Sequence, residues 1–133
     1  MIMAFTFAYS LSGTAPIIEK ITVADTVVLS KGEMVNLESG ELTTAVTADT
    51  ALVGVTLEAV DNTNDGEVCA VIVNEDAVYS VTDANARVKG ATLEIATGAL
   101  GVTTSGNADL IVVEDSSASE PTLVTFNNTH YLD

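Results

Sequence analysis

The feature that most constrains the fold of this chain is a segment that occurs twice. Residues 23–55 and residues 81–113 align without a gap at an offset of 58 residues, and eight of the 33 aligned positions are identical. The identical pairs are Val23 and Val81, Asp25 and Asp83, Lys31 and Lys89, Gly32 and Gly90, Gly40 and Gly98, Leu42 and Leu100, Leu52 and Leu110, and Val55 and Val113. Because repetition at a fixed period indicates a duplicated structural unit, we predict two equivalent units, at about residues 21–78 and 79–126.

Each copy has the pattern of a β-unit. A Lys-Gly pair predicts a tight turn, where glycine adopts positive φ without steric cost. Apolar residues then alternate with polar ones, as Val35 and Leu37 do in the first copy and Leu93 and Ile95 in the second. A period of two predicts a half-buried strand. The predicted fold class is therefore all-β, a small β-sandwich or barrel built from two repeated units, because one unit alone is too thin to bury both its faces.

The alternation also predicts the core. We expect ten apolar side chains to be largely buried, and they are Val35, Leu37, Val53, Val55, Val71, Leu93, Ile95, Ile111, Val113 and Val124.

The first sixteen residues lie outside the repeat and carry alternating large apolar side chains, which are Met3, Phe5, Phe7, Tyr9 and Leu11. Such a strand either covers the core of its own protomer or adds to another chain. We predict the second arrangement, with residues 1–16 as an extended N-terminal arm on a single domain of residues 17–133. The five apolar residues would then bind a partner, and Ser12-Gly13-Thr14 would act as a hinge.

The charge of the chain restricts its partners. The net charge is −15, with four Lys and Arg residues in total. Such a surface repels phosphate backbones and anionic lipid surfaces, so we predict neither nucleic-acid nor membrane binding. The acidity either keeps the protein soluble or serves a basic partner or a cation. Cys69 is the single cysteine; we predict that it is a small buried hydrophobe and that no intramolecular disulfide forms.

Candidate chemistry is sparse. In the loop at residues 61–67, Asp61, Asp65 and Gly66 fit the first, fifth and sixth positions of a calcium loop, but Ile72 cannot supply the carboxylate needed at the twelfth. His130 is the only histidine and has no cysteine beside it, so it is a poor metal ligand or catalytic base. Because no nucleophile-elbow, phosphate-loop or dinucleotide motif is present, we predict no catalytic, cofactor-binding or metal-binding residues.

A family resemblance rests on short motifs of the first copy. The residues that carry it are Lys31-Gly32-Glu33-Met34-Val35-Asn36-Leu37 and Gly54-Val55-Thr56-Leu57-Glu58-Ala59. This pattern resembles the capsid decoration and head-fibre proteins of tailed bacteriophages; the second copy matches it at Lys89-Gly90 but has Val112 at the position of Gly54.

The resemblance implies a non-enzymatic cement protein that forms a homotrimer, binds the major capsid protein on the outer surface of the head and stabilises the lattice. It also implies a protein made in the host cytoplasm and carried in the virion.

Two other classes remain open. A biotinyl- or lipoyl-type β-barrel is also a two-fold repeat, but its modifiable lysine lies in a Met-Lys-Met or Asp-Lys context. Lys31 and Lys89 lie in Ser-Lys-Gly and Val-Lys-Gly instead. A carbohydrate-binding or adhesion module is weakened by the absence of Trp, because aromatic faces are the usual sugar platform.

Overall fold

The computed structural model describes residues 4–64, 66–104 and 106–133. These residues form thirteen β-strands and no helix, which confirms the predicted all-β class. The strands are β1 (Thr6–Ser10), β2 (Ile18–Thr22), β3 (Val28–Leu29), β4 (Met34–Glu38), β5 (Glu41–Thr44), β6 (Leu52–Val55), β7 (Val60–Asp61), β8 (Val68–Ile72), β9 (Ala77–Thr82), β10 (Thr92–Ile95), β11 (Val102–Thr103), β12 (Leu110–Val112) and β13 (Pro121–Phe126).

Five strands of the first half close into a small barrel. β2 pairs with β8, and β4 lies between β5 and β6. An antiparallel bridge between Thr56 and Val71 joins the β6 side to β8, and a parallel bridge between Val23 and Leu42 joins β2 to β5. The ring therefore runs β2-β8-β6-β4-β5 and returns to β2.

The second half forms an open six-stranded sheet in the order β1-β9-β13-β12-β10-β11. Five of these strands repeat the order of the barrel, with β9 in the place of β2 and β13 in the place of β8. Ile21 pairs with Cys69 in the first half, as Tyr79 pairs with Val124 in the second. Val35 pairs with Gly54, as Leu93 pairs with Leu110. The recurring pairings support the duplication inferred from the sequence.

The pairings also correct the ungapped alignment. Leu93 follows Val35 by 58 residues, but Leu110, the partner of Leu93, follows Gly54, the partner of Val35, by only 56. The second copy is thus two residues shorter between these strands, and the alignment of Leu52 with Leu110 is wrong. Because β6 and β12 both carry apolar residues at successive positions, an alignment shifted by two residues still matched apolar with apolar, and the gap was not visible in the sequence.

The hairpin glycines keep the same place in both halves. Ser39 and Gly40 form the tight turn between β4 and β5, with φ of 51° and 81°. Gly98, with φ of 90°, lies in the connection between β10 and β11. Both turns require the left-handed backbone that glycine adopts most readily. The turns predicted at the two Lys-Gly pairs have the same backbone, with φ of 81° at Gly32 and 89° at Gly90.

Two apolar clusters form the core. The first fills the barrel and contains Val23, Leu29, Val35, Leu42, Val53, Cys69, Val71 and Val73. The second lies between the barrel and the sheet and includes Met34, Leu52, Val55, Ile72, Tyr79, Leu93, Ile95, Leu110 and Val124. Burial raises the pKa of the Cys69 thiol to about 11, with smaller effects of Glu58 and Glu33, so this thiol is an inert part of the first cluster.

Seven of the ten predicted core residues are buried. The exceptions are Leu37, Ile111 and Val113, which are only half-buried. Leu37 lies next to the β4–β5 turn, where the strands run out into solvent, and Ile111 points to the opposite face from its buried neighbours Leu110 and Val112.

The N-terminal strand is part of the protomer, and the predicted separate arm is wrong for residues 5–10. β1 pairs antiparallel with β9, and the Phe5 side chain is 2% exposed in the second cluster. The physical reason is Tyr79, whose ring meets Phe5 and Phe7 edge-on, with centroids 6.5 and 6.2 Å away. Without these phenylalanines this face of Tyr79 would lie in water.

Candidate partner-binding surface

The residues predicted to bind a partner are divided between the core and the surface. Phe5 is buried and Phe7 is half-buried, whereas Tyr9 and Leu11 are 38% and 59% exposed. The strand register shifts between Phe7 and Tyr9, and the extra residue of such a bulge reverses which face the following side chains occupy. Tyr9 and Leu11 therefore remain candidates for partner contact, while Met3 lies outside the described residues.

The segment predicted to be a hinge is held by hydrogen bonds. Leu11 N donates to the Asp76 carbonyl at 3.0 Å, and Ser12 N donates to Asp76 Oδ2 at 2.9 Å. Ser10 Oγ donates to the Thr14 carbonyl at 2.6 Å. Hydrogen bonding from Ser12, first from its side chain and then from its backbone, lowers the pKa of the Asp76 carboxyl. The turn is fixed against the loop before β9. The predicted hinge is therefore wrong in this structure.

Asn74 fixes the entry of the chain into β2. This side chain is buried; its Oδ1 accepts from Ile17 N at 2.7 Å and its Nδ2 donates to the Ala15 carbonyl at 3.1 Å. A buried amide satisfied in this way specifies one path for the backbone. The loop between β8 and β9 is thus tied to the segment between β1 and β2.

These connections form one wall of a groove of about 520 Å³, which we call the terminal groove. Its other wall is the C-terminal tail. Its lining residues are Ser12, Thr14, Ile17, Glu19, Val73, Asn74, Glu75, Asp76, Tyr131 and Leu132. Three are carboxylates and none is Lys, Arg or His, so the groove has a negative potential.

Exposed apolar side chains surround the same groove. Ile17, Ile18 and Leu132 are each more than half exposed, and Leu11 is adjacent to Ser12 in its lining. Tyr131 contributes a half-buried ring. Burial raises the pKa of its hydroxyl, and the negative charge of Glu19 adds a smaller increase. An apolar surface beside convergent carboxylates favours a partner that presents both apolar and basic groups.

His130 anchors the tail that forms the second wall. Its ring is fully buried, with Nε2 2.9 Å from the Val53 carbonyl and Nδ1 accepting from Leu132 N at 3.2 Å. Only the neutral ring with its proton on Nε2 satisfies both neighbours. Burial lowers the pKa of His130, although the Val53 carbonyl opposes that effect.

We expect this histidine to make stability depend on pH. The lowered pKa in the folded state means that the unfolded chain binds this proton more readily. The contribution of His130 is therefore complete above its unfolded value near 6.5 and decreases as pH falls below it. At neutral pH, His130→Gln should lower the free energy of unfolding by about 1–3 kcal/mol.

Urea titrations of the two proteins across pH measure this effect, because every other titrating group is common to both. The difference between them should shrink below pH 6.5 by at most about 1.4 kcal/mol per pH unit. A difference that stays constant would show that His130 does not titrate with folding.

Other buried polar groups have structural partners that local sequence did not reveal. Arg87 Nε lies 2.5 Å from Asp83 Oδ2 in a buried ion pair, and Arg87 also contacts Thr104. Asn62 donates to the Val23 and Ala24 carbonyls, each at 2.9 Å. These two hydrogen bonds fix the start of the loop at residues 61–67, which resembles part of a calcium loop in sequence. Asp83 and Arg87 are four residues apart, a spacing that indicates a pair only on a helix, so an all-β sequence carries no local signal for this ion pair.

The described residues show no metal-binding cluster or membrane-spanning helix. Within 4–64, 66–104 and 106–133, no three His, Cys, Asp or Glu side chains converge as metal ligands. No helix in that part of the chain is long and apolar enough to cross a bilayer. The Glu33 carboxylate is buried; burial raises its pKa, but Ser30 N and Thr44 Oγ1 donate to its two oxygens.

Comparisons with known proteins identify similarity in structure but not in sequence. No protein-family model matches the chain, and no curated protein matches it in sequence. Among solved structures, it is similar to the N base of the head fibre gp8.5 of bacteriophage phi29, with 15% identity and a TM-score of 0.56. The match covers 86% of this chain and 98% of that one. The chain therefore shares its fold with a phage head-fibre base over nearly the whole of both molecules.

Proposed function

We propose that this chain is a structural protein of the head of a tailed bacteriophage. It binds the major capsid protein on the outer surface and acts as a decoration, cement or head-fibre base protein. The observation that carries the proposal is the fold shared with the phi29 head-fibre base across 86% of the chain. The Lys-Gly and Gly-Val-Thr-Leu-Glu motifs of the first copy independently resemble proteins of this group.

The terminal groove supplies the means of attachment. Fully burying a large apolar side chain contributes about 1.5–3 kcal/mol, and Leu11, Ile17 and Leu132 are available for this purpose. The net charge of −15 opposes contact with an acidic surface, so the capsid protein would present apolar and basic residues here. Copies of the chain would assemble as a homotrimer on the head, after synthesis in the host cytoplasm.

Co-sedimentation with purified phage heads tests the proposal. The protein should bind expanded, mature heads of the phage that encodes it and not unexpanded shells. Leu132→Asp should weaken this binding at least about tenfold, since it removes apolar contact and adds a charge to an acidic groove.

A matched substitution outside the groove controls for the added charge. Val88 is 69% exposed and does not line the groove, so Val88→Asp should leave binding within about twofold of the parent. Failure to bind either form of the head would refute the capsid role. Equal loss from both substitutions would show that the terminal groove is not the contact.

A further inference from the structure

One strand edge of the barrel is open, along β2 before its bridge to β5 at Val23, whereas β1 covers the equivalent edge of β9 in the second half. Two backbone hydrogen bonds flank the β2–β8 pair: Val73 N donates to the Ile17 carbonyl, and Val23 N donates to the Glu67 carbonyl. In an antiparallel pair, bonded and non-bonded positions alternate. The backbone N–H and C=O groups of Ile18 and Lys20 therefore point away from β8.

These groups meet no protein partner within the described residues. β2 pairs along its length only with β8, and its contact with β5 is a single bridge beyond its end, at Val23. No hydrogen bond in that part of the chain involves the outward backbone groups of Ile18 or Lys20. The side chains agree, since Ile18 is 55% exposed and the next two residues of β2, Glu19 and Lys20, are also exposed.

The duplicated half shows what such an edge accepts. β9 occupies the place of β2, and β1 covers its outer edge, with Thr6 paired to Ser80 and Tyr9 to Val78. These β9 positions correspond to Thr22 and Lys20 of the first half. The outer edge of β9 is thus paired with an added antiparallel strand, whereas the equivalent edge of β2 has no strand beside it among the described residues.

Charge identifies the kind of strand that fits the empty edge. Glu19 of β2 lines the terminal groove together with Glu75 and Asp76, and Ile17 and Ile18 expose apolar surface at the same end. The chain has only four basic residues, and Arg87 among them is buried in an ion pair. Lys20 is the one basic residue of β2 and is exposed; a second copy would bring this lysine together with a net charge of −15, and so adds mainly negative charge at this edge.

We propose that the open edge of β2 binds an extended segment of another protein, in which apolar residues alternate with Lys or Arg. The segment adds a strand through the backbone of Ile18 and Lys20, and its basic side chains reach the carboxylates of the terminal groove. Main-chain pairing supplies affinity in this mode, and the side-chain pockets supply specificity. The inference deepens the proposed function by naming the attachment chemistry, but the site can be tested without phage heads.

The test uses a blocked ten-residue peptide of alternating valine and lysine, labelled for fluorescence anisotropy. The key variant is Lys20→Pro, which removes the outward N–H while leaving the β8 ladder intact, because proline is tolerated on the free side of an edge strand. Lys20→Ala is its matched control, since it keeps the amide. Lys20→Pro should weaken binding at least about tenfold and Lys20→Ala less than about threefold.

Two further peptides separate strand addition from simple charge attraction. A valine–glutamate peptide should bind at least about tenfold more weakly than the valine–lysine peptide. A valine–lysine peptide with two central prolines keeps most of the charge but cannot pair, so it should also lose about tenfold. If the proline-containing peptide binds as well as its parent, binding is electrostatic only and the strand-addition site is wrong.

Amide chemical shifts of the unaltered protein make the result independent of the variants. The valine–lysine peptide should shift and protect the Ile18 and Lys20 amides more than the Glu19 and Ile21 amides, which already face β8. Shifts elsewhere, or none, would overturn the site.

Sedimentation of the free protein supplies the remaining outcome: an oligomer that Lys20→Pro converts to monomer would assign the edge to a second copy and refute the proposed occupant. Failure with phage heads but success with the peptide would refute the capsid role alone.

Discussion

Replacing Gly54 by alanine should abolish folding, or lower the free energy of unfolding by more than about 4 kcal/mol. A Cβ at this position would lie 1.9 Å from the Ile72 carbonyl oxygen and 2.8 Å from the Tyr79 hydroxyl. The carbonyl belongs to β8 and cannot move without separating the barrel from the sheet. The backbone also has a φ of 155°, which residues with side chains rarely adopt. Urea denaturation followed by circular dichroism measures the loss.

Gly40→Ala is the matched control. Its φ is 81°, but no atom lies within 4 Å of the added Cβ. Only the cost of the left-handed backbone applies, about 1–2 kcal/mol. Similar losses for the two variants would show that close packing at Gly54 is not the cause. In the second half Leu110 pairs with Leu93 as Gly54 pairs with Val35, but only the β4–β6 pair has a register shift, which follows Val35.

Truncating Phe5 to alanine should destabilise the protein by about 3–5 kcal/mol. The Phe5 ring is buried against Tyr79. Residues 4 and 5 pack over the turn at Gly32, and Phe5 N donates to the Gly32 carbonyl at 2.9 Å. Removing the ring leaves a cavity beside the largest fully buried side chain of the molecule. Deleting residues 1–12 should have a still larger effect, because β9 then loses its edge partner as well. Thermal melting and urea titration give both values.

The neighbouring Leu11 serves as the control. It is 59% exposed, so Leu11→Ala should change stability by less than about 0.5 kcal/mol. A Phe5→Ala protein as stable as the parent would restore the interpretation of residues 1–16 as an arm outside the core. Loss of partner binding in Leu11→Ala without loss of stability would assign a contact role to that residue.

Local patterns in the sequence were sufficient for the strands and for the duplication. Val35, Leu93 and Ile95 are buried because alternation identifies the covered face of a strand. The same alternation cannot tell which edge a strand joins. Phe7 was correctly recognised as a strand residue, whereas Phe5 lies just before β1, and their partner Tyr79 is more than seventy residues further along the chain.

The groove was less predictable because three distant segments form it. Asn74 and His130 have ordinary neighbours in the sequence, and their roles depend on Ile17 and Val53, which only the tertiary fold brings near. The bulge after Phe7 is equally invisible to a period-two pattern, and it determines that Tyr9 and Leu11 face solvent. The sequence predicted an apolar contact surface near the N-terminus but not its members.

The two ends of the chain cross over to the opposite halves of the molecule. β1 comes first in the chain yet pairs with β9 of the second half, while Leu52 of the first half bonds to Thr129 and Tyr131 of the tail. A cut between the halves would leave each fragment without a strand or brace that the other carries. Because contacts between residues far apart in the sequence slow folding, the barrel is braced at Leu52 only after residues 129–131 have joined it. The duplicated units have thus lost the autonomy that a tandem repeat usually keeps, and the protein matures as a single cooperative body.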